Sequence, residues 1–111
     1  MHGIKDTNKI KDMVNHIVLF KLKDYPAEEK EALRNELKLL LEGLKEKIEE
    51  VVYLEVGLNY ELKGKSHDIA LISHFNTIED LDKYRVHPEH MKVVARFHEV
   101  AETRAAVDFE F

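Results

Sequence analysis

The sequence predicts an α+β fold: a four-stranded antiparallel sheet with its helices on one face, in the order β-α-β-β-α-β. Three observations lead there. Short segments of period two recur four times along the chain. Segments of period near 3.6 lie between the first and second of them, and between the third and fourth. A length of 111 residues allows one domain, so all these elements must share a core.

Residues 1–13 are polar with no strong period and are expected to be a flexible extension, leaving the domain to residues 14–111. Asn15–Lys23 (NHIVLFKLK) places His16, Val18, Phe20 and Leu22 on one face and Ile17, Leu19, Lys21 and Lys23 on the other. Such a strand has one buried and one partly buried face. Asp24-Tyr25-Pro26 opens a helix, because proline is tolerated at a helix start. Glu28 and Glu29 complement its dipole. Leu33, Leu37, Leu40, Leu41, Leu44 and Ile48 carry its apolar stripe to about Glu46–Glu49.

Val51–Leu58 is the second strand, Asn59–Lys65 a connection with Gly64, and Asp68–Phe75 (DIALISHF) the third strand. Thr77 with Asp80 three residues on reads as a capping box, opening a short helix that ends at His87. Pro88 starts another helix, expected to run to about Thr103. Its Met91, Val94, Ala95 and His98 form one stripe; Val93, Phe97 and Val100 form an adjacent one. Ala105–Phe111 alternates as the fourth strand, with Val107, Phe109 and Phe111 expected inward. This order is the ferredoxin-like split βαβ arrangement. It leaves one sheet face without helices, and that face is too apolar to stay in water. A second copy packed against it would form a homodimer with a barrel-like core.

Composition narrows the function. Net charge is −5, from 17 basic and 22 acidic residues, which argues against nucleic-acid binding. The chain has no cysteine, which removes disulfides, thiol nucleophiles and thiolate zinc sites. No apolar run approaches the roughly 20 residues that span a bilayer, so a cytoplasmic protein without membrane contact is expected. No phosphate-cradling glycine loop, serine-nucleophile motif or dinucleotide fingerprint occurs, so no nucleotide cofactor is expected.

The densest chemistry lies in Tyr84-Arg85-Val86-His87-Pro88-Glu89-His90. Pro88 pushes His87 out of helical geometry, so the polar groups gather at a junction between helices. His90 could take a proton near neutral pH, and Tyr84 could donate a hydrogen bond to a developing oxyanion. The competing reading is structural: His87 and His90 cap backbone groups, and Tyr84 packs in the core. A metal reading of His87, His90 and His98 lacks a fixed carboxylate partner, and no metal is expected. His16 stands alone on an apolar strand face, as a hydrogen-bonded core residue or a pocket group.

The strand HIVLFKLK, the strand DIALISHF and the Tyr-x-x-His-Pro-x-His run together resemble the stress-responsive dimeric α/β-barrel (Dabb) proteins, over residues 14–111. The resemblance implies a homodimer with a pocket between each sheet and its helices. A plant branch, the olivetolic-acid type polyketide cyclases, performs an intramolecular aldol condensation of a linear polyketide. There a histidine acts as base and a tyrosine holds the substrate, at positions matching His90 and Tyr84. His16 matches that branch's first-strand histidine, and Val18 and Phe20 match its apolar wall. Its third-strand histidine is replaced here by Ile69. The candidate ligand-binding set is therefore His16, Val18, Phe20, Tyr84, His87 and His90, around a small apolar ligand. His90 and Tyr84 are the catalytic candidates. A polyketide-cyclase-like enzyme and a purely structural dimer are the alternatives to a binding protein.

Overall fold

A computed structural model describes residues 13–60 and 66–111. The expected extension lies outside the described residues except Met13, as do residues 61–65 of the expected connection. The elements are β1 (Val14–Leu22), α1 (Ala27–Glu42), α2 (Leu44–Lys47), β2 (Tyr53–Leu58), β3 (Ile69–Phe75), α3 (Ile78–Val86), α4 (Pro88–Val100) and β4 (Ala101–Glu110). The sheet order is β2-β3-β1-β4, antiparallel throughout. This is the predicted ferredoxin-like arrangement, with β3 splitting the β1-α1-β2 unit.

Register assigns the two faces, because directly paired residues point the same way. Toward the helices, β1 presents Val14, His16, Val18, Phe20 and Leu22, and β3 presents Ile69, Leu71, Ser73 and Phe75. Leu33, Leu37 and Leu41 of α1, Leu44 of α2, Leu81 and Tyr84 of α3, and Val93, Phe97 and Val100 of α4 close the core over them. The stripe predicted for one long helix is thus kept across α1 and α2, which are separated at Gly43.

β4 corrects two expectations. Its strand conformation begins at Ala101, so α4 stops at Val100 and does not reach Thr103. Ala101 and Thr103 pair with Leu22 and Lys21, and the register shift there leaves Glu102 as an extra residue. Ladder pairing to β1 outweighs the helix period at this end. The second correction is the facing of Val107, Phe109 and Phe111. Val107 pairs with Ile17 and Phe109 with Asn15, so they point away from the helices and stay 53%, 45% and 36% exposed. The helix side of β4 carries Arg104, Ala106, Asp108 and Glu110 instead. A one-residue change of phase exchanges the two faces of a strand, and here it brings two charged groups to the site.

Candidate functional site

Tyr84, His87 and His90 meet where α3 gives way to α4. Thr77 caps α3 by accepting a hydrogen bond from the Asp80 amide at 3.0 Å. His87 is extended, as a residue before proline must be. Its Nδ1 accepts from the Glu89 amide at 3.1 Å, capping α4. The His87 ring does not line the cavity beside it; it holds the junction. His90 sits in the first turn of α4, where its Nδ1 lies 3.0 Å from the Arg85 carbonyl oxygen. A carbonyl only accepts, so Nδ1 carries the proton and Nε2 is left as the basic nitrogen.

The cavity between sheet and helices has a volume of about 340 Å³. At its polar end are His16, Tyr84, Arg85 and His90. Val18, Leu71 and Phe97 supply much of its apolar wall, and Arg104 and His98 belong to its lining too. The Phe20 and Phe97 rings meet at a 40° tilt with centroids 4.2 Å apart, without closing the space. The outer stripe of α4, with Met91, Val94 and His98, faces this cavity, while Val93 and Phe97 reach from the core stripe.

Tyr84 is fully buried, with its ring 4.3 Å from that of His90 and 6.1 Å from that of His16. Its hydroxyl has no hydrogen-bond partner among the described residues. Such an unmet group costs about 1–3 kcal/mol. Burial pushes it well above the usual phenol range, against a smaller pull from Arg104, so it stays a neutral donor.

His16 is positioned by register. It pairs across the sheet with Ser73 and with Asp108. Its Nδ1 meets the Asp108 carboxylate, whose other oxygen accepts from Arg85 at 2.7 Å. Arg85 also binds Asp82 at 2.8 Å. The chain Asp82–Arg85–Asp108–His16 fixes the imidazole with Nδ1–H toward the carboxylate and Nε2 bare. Burial lowers the His16 pKa; Asp108 works against this, and the charges of Arg85 and Arg104 add to it. Burial also lowers His90, the Arg85 carbonyl raises it, and the charges of His16, Arg104 and His87 lower it. Both rings are therefore neutral at pH 7, each with a basic Nε2.

Of the residues singled out in the sequence, His16, Val18, Phe20, Tyr84 and His90 share this cavity, and His87 stands beside it. Arg85 stands on α3, in the Tyr84–His90 run, with no role assigned to it from the sequence. Asp108 and Arg104 are not among the sequence candidates; their signal is the polar phase of β4, hidden while its apolar phase is taken as inward. Among the described residues no cluster of three or more His, Asp or Glu side chains is arranged to hold a metal ion.

Residues 14–111 match the stress responsive A/B barrel domain. The chain belongs to this family. A stress-response A/B barrel domain-containing protein of Arabidopsis thaliana, DABB1, is 28% identical over 102 residues, covering 87% of this chain and 46% of that protein. The chain thus spans about half the length of that relative. Among solved structures, a dimeric protein with a ferredoxin-like fold from Bacteroides fragilis is 44% identical, with a TM-score of 0.84 over 92% of this chain and 99% of its own. A hydroxynitrile lyase from Passiflora edulis shares the fold at 14% identity, with a TM-score of 0.75 over 91% of this chain and 94% of its own. No described helix of this Dabb domain is long and apolar enough to cross a membrane.

Proposed function

We propose that this Dabb domain works as a homodimer in which each subunit binds a small, largely apolar organic molecule between its sheet and helices. One observation carries the reading: a cavity of about 340 Å³ whose apolar wall ends at two imidazoles and an unpaired tyrosine hydroxyl. That is the usual make-up of a ligand site, an apolar chamber with a few convergent polar groups. A ligand oxygen that reached Tyr84, after a small displacement of the His90 ring, would satisfy the buried hydroxyl.

The test is a small-molecule screen read by ring-proton shifts of His16 and His90. Hits should lose about tenfold in affinity with Tyr84→Phe, while thermal stability is held or rises. The hydroxyl makes no bond to lose, and removing it relieves the cost of an unmet buried group. Unchanged affinity would remove Tyr84 from the site. A clear loss of stability would give its hydroxyl a structural role.

A second reading rests on the bare Nε2 atoms. A neutral imidazole beside a neutral phenol suits removal of a proton next to a carbonyl, with His90 as base and Tyr84 as donor to the developing enolate oxygen. This is the chemistry of a polyketide-cyclase-like enzyme. Deuterium uptake at the α-carbon of bound diketones, followed by NMR, separates the enzyme from the binder. Uptake must fall at least tenfold in His90→Ala with the dimer intact for catalysis to stand.

A further inference from the structure

The chain has four arginines. Three of them hold carboxylates: Arg34 with Glu31, Arg85 with Asp82 and Asp108, and Arg96 with Glu36 and Glu99. Arg104 has no hydrogen bond and no ion pair among the described residues. It is exposed on β4, opposite Phe20, and its side chain belongs to the lining of the cavity that holds His16, Tyr84 and His90. Its positive charge acts on all three of those groups. The lining contains no aspartate or glutamate, and Asp108 is already engaged by His16 and Arg85. The cavity therefore carries an uncompensated positive charge although the whole chain is acidic.

We propose that the molecule this cavity takes is an organic carboxylate, its acid group paired with Arg104 and its apolar body lying along Val18, Leu71 and Phe97. The assignment rests on the binding reading given above. A guanidinium presents a planar fork that matches the two oxygens of a carboxylate. A dianionic phosphate suits this site less well. The cavity lining has no second unpaired cation and no glycine-rich loop of amides to share the extra charge. With the acid group at Arg104, the far end of the ligand is directed toward the Tyr84 hydroxyl and the imidazoles. Arg104 would then determine which ligands enter and how they lie.

The probe is a matched pair, 4-phenylbutyrate and 4-phenylbutanamide, titrated by calorimetry and by the His16 and His90 ring signals at low ionic strength. The acid should bind about tenfold more tightly than the amide, the size expected for one charge-assisted hydrogen-bonded pair. Arg104→Gln should bring the two probes to near parity, and Arg104→Lys should keep part of the preference. Added salt should erode it. Because Arg104 is exposed and unpaired, its variants should melt with the unmodified protein, so lost binding would not reflect lost folding. Equal affinity for acid and amide, or a preference that survives Arg104→Gln, overturns the assignment while leaving the pocket standing. If neither probe binds and neither imidazole signal moves, the assignment falls together with the binding reading.

Discussion

His16 owes its proton affinity to burial opposed by Asp108, and that balance leaves a measurable mark. The Asp108 carboxylate raises its proton affinity against the stronger effect of burial. Asp108→Asn removes that support, so the His16 pKa should fall below its value in the unmodified protein. Long-range ¹⁵N spectra should show the Nδ1–H form in the unmodified protein and mixed tautomers in the variant. A His16 pKa that rises in Asp108→Asn would show that Asp108 does not face the ring in solution. His16 and His90 are both held below the ordinary imidazole value by burial. Unfolding releases them to about 6.5. Above that value both states are neutral and stability is full. As pH falls through it, the unfolded chain takes up protons that the folded one refuses, and stability declines. Melting at successive pH values should show the fall beginning near pH 6.5, in addition to any carboxylate effect at lower pH. His16→Gln and His90→Gln should each reduce its slope.

At the scale of elements, the apolar phases carried most of the prediction. Leu33, Leu37, Leu41, Leu44 and Ile48 lie buried along α1 and just beyond it, as their spacing required. Leu37 has no exposed surface, so Leu37→Ala should cost about 2–5 kcal/mol in denaturant unfolding. A cost below about 1 kcal/mol would mean that the helix sits loosely on the sheet. β4 was harder to read. Its alternation is clean, but alternation cannot say which phase faces the helices when both faces of a sheet are partly apolar. Pairing with His16 and Phe20 decides it, and pairing is non-local. The candidate site shares that limit. Tyr84 and His90 were legible because a proline junction concentrates them within a few residues. Asp108 and Arg104 enter from a strand whose facing only the sheet register reveals. His87 was legible as a junction residue, but the motif could not tell the ring that caps α4 from the ring that lines the cavity.

At the scale of the whole molecule, the face without helices remains to be covered. Ile17, Leu19, Ile72, Val107 and Phe109 share it, and Leu19, Val107 and Phe109 are between 37% and 53% exposed. At one end His74 stacks on Tyr53 with centroids 4.7 Å apart and meets the edge of Phe111 at the same spacing. A contiguous apolar sheet face of this kind marks an interaction surface. The relative from Bacteroides fragilis, 44% identical, is dimeric. Pairing two copies through this face would give the barrel-like core implied by the topology. Val107→Asp should then yield a monomer by light scattering, with a lower melting temperature set by the lost burial rather than by damage to the subunit, because Val107 packs little within one chain. A dimer that survives Val107→Asp would place the contact elsewhere. His74 supplies a second check on the same surface. Burial already lowers its pKa within one chain, and a partner sheet would desolvate it further. The neutral ring is therefore favoured in the dimer, and dimer affinity should weaken as pH falls through the lowered pKa that His74 has in the free subunit. His74→Phe should flatten that dependence while keeping the stack on Tyr53. If dimer affinity stays unchanged from about pH 8 down through the pH at which His74 of the free subunit takes up its proton by NMR, His74 lies outside the interface, even where Val107→Asp shows that the rest of the face is inside it.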